Sequence, residues 1–495
     1  MKNYDVVVIG AGLGGLQSAY ILAKKGMKVC VLEQNRLLGG CLQTFSRKGT
    51  NFDTGFHYVG GLDNGQPLYR LFKYFNLLDL PWHKLDTNGF DEVYFNDKSY
   101  MFVNGYDNFC QKMSEYFPNS VNQLNVYTKF LKHVGEDIFD SFSNNPEQNM
   151  AGMSLFGKGA YNYLTETISD PILQNVLSGT SPKLSLNKQK LPLYTFAQIN
   201  SSFIQSAYRL NGGGMQIAQS LANSIEKLGG EVFTNAKVVN LVEQNEKLAI
   251  AEIENNEPIQ AKYFISNVHP ASTIRLAENT SFVRKIYKKR ITTLENGFGM
   301  FTVNIKLKPG MFKYLNRNVY IHNTDDIWTE GEQLASELPR CVLVSFAVPK
   351  NNQEYAENVD LLTPMLWSDV EKFAGTKIGN RGEEYETLKF EKSQQLINLA
   401  DKYLPGLKNA VENIYTSTPL TYADYTATEN GSAFGITKDY DRLVYTLLTP
   451  KTPIPNLWLT GQNLNLHGIL GVSMTSFFSC AEILGESPSI KMFEY

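Results

Sequence analysis

A short segment near the start of the chain constrains the fold more than any other feature. An apolar run, Tyr4-Asp5-Val6-Val7-Val8-Ile9, ends in Gly10-Ala11-Gly12-Leu13-Gly14-Gly15. An amphipathic stretch from Leu13 to Lys25 follows, then a second apolar run, Lys28–Leu32, which stops at Glu33. This pattern predicts a β-α-β unit whose turn carries GxGxxG. Glycines there permit a tight turn and close backbone approach, and the helix N-terminus offers free N–H groups and a positive dipole end to a pyrophosphate. Glu33, at the end of the second strand, is placed to accept both ribose hydroxyls of an adenosine. An acid at that point favours an unphosphorylated ribose, hence FAD or NAD over NADP.

The remaining composition narrows the class. A chain of 495 residues suggests three domains' worth of chain, or two large interleaved domains. Hydrophobic residues make up 43% and charged residues 19%, which excludes wholesale disorder. A formal charge of −3 argues against nucleic-acid binding by bulk electrostatics. Aromatic content of 12% fits a large apolar interior or an apolar ligand. The cysteines Cys30, Cys41, Cys110, Cys341 and Cys480 are odd in number and contain no CxxC, so neither a disulfide framework nor a zinc site is expected. The scattered histidines give no metal pattern. No secretory leader pattern and no 18-residue apolar run is present, so the expected setting is the reducing cytoplasm, with a peripheral position on a membrane surface as the alternative.

Along the chain, residues 36–65 read as a Gly- and Thr-rich loop. Apolar spacing across residues 120–142 (Leu124, Tyr127, Leu131, Val134, Ile138) is helical. Residues 145–165 read as an apolar loop. From 212 to 267 a glycine triplet precedes a helix (Gln216–Leu228), then the strands Val238–Val242, Ala249–Ile253 and Tyr263–Ser266, read as a small sheet. Residues 276–430 mix strands and helices in no legible order. The last 40 residues hold a strand, Leu457-Trp458-Leu459, then glycines, then a closing helix to about Leu484.

A second group of motifs separates FAD from NAD. After Glu33 and Gln34 come Gly39-Gly40, Cys41, Thr44 and then Phe52-Asp53-Thr54-Gly55-Phe56-His57-Tyr58. Here the chain resembles the flavoprotein superfamily of amine oxidases and phytoene desaturases. It is most similar to a narrower branch, the retinol saturase and carotenoid isomerase-like proteins. The resemblance extends to Arg209–Met215, to Gly229–Val232 with Asn235–Val238, to Ser266–Pro270, to Pro419–Thr421 and Gly431–Gly435, and to Leu459–Asn463 with Gly468–Val472. It implies FAD as cofactor, held by Gly10, Gly12, Leu13, Gly14, Gly15, Glu33, Gln34, Gly39, Gly40, Cys41, Thr44, His57, Val238, Gly461, Gln462, Asn463, Gly471 and Val472. Cys41 stands where the superfamily often has a basic residue, and Asn463 stands where it has an aspartate for the ribityl chain. The implied fold is α/β. It pairs a Rossmann-like FAD-binding domain (residues 1–95 with 210–275 and 430–495) with an interleaved α+β substrate domain (residues 96–209 with 276–429).

His57, just past the DTG turn, either positions substrate or relays a proton beside the flavin, or is a structural histidine bonding backbone. His467, before the flavin-facing helix, carries the same two readings. Tyr58 is a candidate proton donor to a substrate carbanion. The cluster Arg284-Lys285-Ile286-Tyr287-Lys288-Lys289-Arg290 reads as a solvated helix face or as a contact with anionic lipid. Met150–Leu164 reads as ordinary packing or as a segment dipping into a bilayer.

The resemblance implies an oxidoreductase that acts on carbon–carbon double bonds of an isoprenoid, retinoid or other lipid polyene, with reduction favoured. Dehydrogenation or flavin-dependent cis–trans isomerisation is the alternative, and a non-catalytic FAD-binding lipid carrier the distant one. The expected partners are a hydrophobic small molecule and a redox protein or quinone. Gly212-Gly213-Gly214 lacks a strong preceding apolar strand and an acid at the right distance, Gly468-Ile469-Leu470-Gly471 is assigned to the flavin, and no other glycine cluster opens a helix after a strand, so no second dinucleotide site is legible. NADH and NADPH should therefore reduce the bound flavin slowly and without saturation in anaerobic stopped-flow. Fast bleaching that saturates at micromolar nucleotide would reveal a docking site.

Overall fold

The computed structural model describes residues 1–136, 138, 152–332, 334, 337–350 and 354–486. Two large sheets organise it. The first runs Glu231–Phe233, Val29–Leu32, Asn3–Ile9, Ile259–Ser266, with Leu457–Leu459 beyond, all mutually parallel. Val6, Val7 and Val8 are fully buried: Val6 and Val8 join an apolar cluster with helix residues such as Leu16, Leu221 and Phe477, and Val7 joins one with the strand residues Leu241, Leu248 and Ala251 on the other face, hence the unbroken apolar run. The first helix, Leu13–Lys24, packs against the helices Met215–Lys227 and Gly468–Leu484. A Cβ at Gly15 would lie 2.0 Å from the Gly10 carbonyl oxygen, so this helix start can seat against the strand only with glycine.

The register fixes where the motifs meet. Ile9 pairs with Leu32 on one side and Ser266 on the other, and Ser266 pairs with Leu459. The next residues, Gly10, Glu33, Asn267 and Thr460, therefore lie along one carboxyl edge, the position where ligands bind in open α/β sheets. The strands Val238–Gln244 and Lys247–Ile253 join this same sheet through Ile259 and Gln260. They are not the separate small sheet that the sequence pattern suggests; each strand's neighbour is set by tertiary pairing that local periodicity does not encode.

The second sheet runs Val411–Ser417, Gly299–Leu307, Asn358–Met365, Cys341–Phe346, Asn318–His322, Asp91–Phe95 and Lys98–Phe102. It supplies the order that residues 276–430 lacked as sequence. Asp91–Phe95 lies in this sheet, although residues 1–95 were expected with the nucleotide-binding part. Side chains alternate across it. Phe301, Val303, Val342, Val344 and Leu361 pack under the helix Glu383–Tyr403. Met300, Leu343 and Leu362 join the opposite cluster, beneath the helices Tyr106–Tyr116, Val121–Glu136 and Leu193–Gln205.

Other local readings change. Residues 36–65 are not all loop: Thr44–Arg47 and Thr50–Asp53 form a hairpin, with positive φ at Lys48 (48°) and Gly49 (77°). That turn matches the right-handed twist of its strands, and Lys-Gly is a weaker signal for it than Asn-Gly. The helix expected over 120–142 is Val121–Glu136; residues 137 and 139–142 lie outside the described residues. Of the loop expected at 145–165, residues 145–151 also lie outside them. Residues 152–156 and Ala160–Thr167 are helical.

One side chain pins the last strand. Asn456 Oδ1 accepts the Leu248 N–H, while its Nδ2 donates to the carbonyls of Leu248 and Lys262, at 2.9, 2.7 and 2.7 Å. It is buried, so losing it leaves three main-chain groups unsatisfied. Asn456→Leu should cost about 2–4 kcal/mol, read as a lower urea midpoint. An unchanged midpoint would show that the strand is held elsewhere.

Candidate active site

A cavity of about 570 Å³ follows the carboxyl edge of the first sheet and continues to the inner face of the second. Gly10, Gly12, Leu13 and Gly14 line it with Glu33 and Gln34, then Gly39, Gly40 and Cys41. His57 and Tyr58, Val238, Gly461, Gln462, Asn463, His467, Gly471 and Val472 also line it. Segments from both ends and the middle of the chain are thus brought together. Two expected residues stand apart from the lining. Gly15 serves helix–strand contact, and the Thr44 hydroxyl donates to Asp53 at 2.8 Å and accepts the Met215 N–H at 3.3 Å.

The residues fit FAD. The buried Glu33 carboxylate accepts the N–H groups of Ala11 and Asn35, both at 2.9 Å, one on each oxygen. These bonds fix the carboxylate while each oxygen keeps a free lone pair for a ribose hydroxyl. The helix starts at Leu13 and at Gly468 both border the cavity and present unpaired N–H groups to it. A Cβ at Gly471 would lie 2.4 Å from the Leu466 side chain, so the second helix start is packed closely on its loop. Burial pushes the Cys41 thiol up to about 11, so it is neutral and makes no charge contact with a pyrophosphate.

Asn463 differs from a bare ribityl acceptor. Its Oδ1 already accepts the Ile436 N–H at 3.1 Å, and its carbonyl accepts Lys438 Nζ at 2.6 Å. Gly435, with φ of 74°, leaves the space for it: a Cβ there would lie 2.2 Å from Asn463 Oδ1.

At the inner end, His57 Nδ1 lies 3.8 Å from Asp360 Oδ2, and His57 Nε2 is sheltered from solvent with no hydrogen-bond partner. Burial and the Arg209 guanidinium hold this imidazole down to about 4, so it is neutral at pH 7. Burial, then the Asp53 charge, pushes Asp360 up to about 7. The Tyr58 hydroxyl is committed: it donates to Asp91 Oδ2 at 2.8 Å and lies 2.5 Å from the Tyr320 hydroxyl. Burial and Asp91 raise it well above the ordinary phenol range, which makes it a poor acid. His467 Nε2 lies 3.1 Å from the Lys183 carbonyl, which can only accept, so Nε2 carries the proton. That imidazole, held down to about 4 by burial, ties the flavin-facing loop to the segment bearing Lys183.

Lys183 itself carries no sequence signal, since it lies in a stretch without motifs. Its side chain is 9% exposed and lines the cavity, with Nζ 3.2 Å from Asp91 Oδ2 and 3.9 Å from the Phe203 ring centre. Asp91 is fully buried and also accepts Asn318 Nδ2 at 2.8 Å. Burial lowers the Lys183 ammonium and Asp91 opposes that shift. Only the fold, which sets Asp91 and Tyr320 on adjacent strands, could reveal this group. Among the described residues no His, Cys, Asp and Glu cluster could hold a metal, and no helix is long and apolar enough to cross a membrane.

Comparison with known proteins gives consistent findings. The model of the family described as flavin containing amine oxidoreductase matches residues 13–303. The all-trans-retinol 13,14-reductase of Rattus norvegicus is 27% identical, over 98% of this chain and 86% of that protein. A chloroplastic prolycopene isomerase of an Oncidium hybrid cultivar is 24% identical, over 87% of this chain and 75% of that protein. A solved oxidoreductase from Methanosarcina mazei shares the fold, with a TM-score of 0.64 at 18% identity over 97% of this chain and 100% of the other.

Two substitutions test the cradle. Glu33→Ala removes a charge-assisted acceptor and should weaken FAD binding by about 1.5–3 kcal/mol; unchanged affinity in a flavin-release titration would mean the ribose sits elsewhere. Gly435→Ala displaces Asn463 and strains a left-handed residue. It should raise the FAD dissociation constant at least tenfold, about 1.4 kcal/mol, with the fold retained by circular dichroism.

Proposed function

Because the chain belongs to the flavin containing amine oxidoreductase family, we propose that it is an FAD-dependent oxidoreductase that reduces a carbon–carbon double bond of a retinoid-like polyene. The observation that carries this reading is the continuity of one cavity. It runs from the glycine-rich nucleotide edge to an apolar end lined by Ile199, Phe203, Met300, Leu343 and Leu362. The similarity to retinol 13,14-reductases across nearly the whole chain supports the direction of chemistry. When bound, FAD supplies hydride transfer, and the protein orients the polyene and manages the proton.

In this reading Lys183 Nζ is the proton source. It is the ammonium at the apolar end of the cavity, and its bond to Asp91 keeps a proton there despite burial. Tyr58 and Tyr320 wall in Asp91 and exclude water from it. His57 is neutral and offers a free Nε2 to position the substrate or the flavin edge. His467 acts as a positioning residue through the Lys183 carbonyl. The similarity to prolycopene isomerases supports a second reading, cis–trans isomerisation of a carotenoid in the same cavity.

One experiment separates the two. The photoreduced holoprotein is mixed anaerobically with all-trans-retinol or with a cis-carotenoid, and products are analysed by mass spectrometry. A gain of two hydrogens in retinol supports reduction; an isomer of unchanged mass from the carotenoid supports isomerisation. Lys183→Met should still bind and photoreduce FAD yet slow flavin reoxidation by substrate roughly 10²-fold or more. Wild-type reoxidation in that variant would remove Lys183 from the proton path.

A further inference from the structure

Outside the cavity, one surface joins two features that soluble proteins rarely place together. The helix Lys285–Thr292 presents Arg284, Lys285 and Lys289 to solvent, and these carry no ion pair among the described residues. Lys288 is held by Glu278. In the middle of these charges Ile286 is 80% exposed. Beside the helix, the short turn Leu443–Thr446 exposes Val444 (83%) and Tyr445 (54%).

The two elements are fastened to each other. Arg290 Nη2 donates to the carbonyls of Val444 (2.8 Å) and Tyr445 (3.4 Å), and its guanidinium lies 5.8 Å from the Tyr445 ring centre. Arg442 lies 5.4 Å from the same ring. The apolar tip is therefore tied to the helix and flanked by two arginines, with Asp441 the exposed acid of the preceding turn. Its inner side is the reverse: Leu443 and Leu447 pack on the apolar cluster that contains Tyr58, Met300, Leu343, Leu362 and Leu466. Those five also line the cavity.

We propose that this surface docks the protein on an anionic lipid bilayer. The cations meet lipid headgroups while Ile286, Val444 and Tyr445 enter the interface. Charge complementarity selects this occupant. The chain as a whole is net negative, with a formal charge of −3, so the basic patch around these projecting apolar side chains runs against the sign of the whole. Each base near an anionic surface adds attraction that salt screens, and projecting apolar side chains add burial that is insensitive to salt. An interfacial aromatic such as Tyr445 suits the headgroup level.

The test is flotation of the full-length, flavin-loaded protein with vesicles of phosphatidylcholine alone or of three parts phosphatidylcholine to one part phosphatidylglycerol. Binding should be strong only to the anionic vesicles and should fall as salt rises. The pair Lys285→Glu and Lys289→Glu should weaken it about tenfold or more. The pair Val444→Asp and Tyr445→Ser should weaken it in high salt as well. Flavin absorbance of each variant, unchanged from wild type, reports an intact fold. No vesicle binding, equal binding to both vesicle types, or binding that both variants retain would overturn the proposal. So would retention on an acidic polymer such as heparin without vesicle binding. None of these readouts depends on turnover.

Discussion

Everything in the cofactor cradle hangs on one hydrogen-bond register. Because Ile9, Leu32, Ser266 and Leu459 lie level across the parallel sheet, the residues after each strand converge on one edge. A one-residue slip of any strand would turn its side chains to the other face and carry its terminal residue out of line. The glycines serve that register rather than the ligand alone. Gly15 lets the first helix settle on the Gly10 turn, and Cβ atoms at Gly12 or Gly14 would strike the Asn267 side chain at 2.7 or 2.5 Å.

The second sheet contributes a different asset, a buried negative charge. Asp91 is fully buried yet accepts from Tyr58, Lys183 and Asn318, and Asn318 in turn accepts from Arg209 and Ser345. A carboxylate so supplied with donors tolerates burial, whereas the same group unpaired would cost several kcal/mol. The network fixes a single ammonium against aromatic faces beside a hydrocarbon-lined space. Proton chemistry can then be held apart from bulk water.

How much was legible in the residues depended on the range over which their meaning is set. Gly10–Gly15, Glu33 and the closing Leu457–Leu484 region carry strong local signals, and they lie where the pattern implied. Gly461, Gln462 and Asn463 follow from resemblance, and they line the same cavity. Lys183 and Asp91 were invisible because each looks ordinary among its neighbours; only pairing between Asp91–Phe95 and Asn318–His322 brings their partners near. The hairpin Thr44–Asp53 carries little local signal because Lys-Gly is a weak turn sequence. The order of the second sheet is not legible locally because its strands pair across long separations that no window of residues reports.

The last strand of the nucleotide sheet also has a consequence for biosynthesis. Leu457–Leu459 inserts beside Phe264–Ser266, so the ribosome must make the whole intervening chain before that edge is closed. At ordinary elongation rates this leaves an apolar strand edge unpaired for roughly 10–40 s. During that interval the edge is a template for pairing with other nascent chains. Chaperone dependence during synthesis, and aggregation of chains stopped short of the final forty residues, follow directly from this chain order. The cofactor cannot act as an early folding nucleus with its full cradle, because Gly461, Gln462, Asn463, His467, Gly471 and Val472 have not yet been translated.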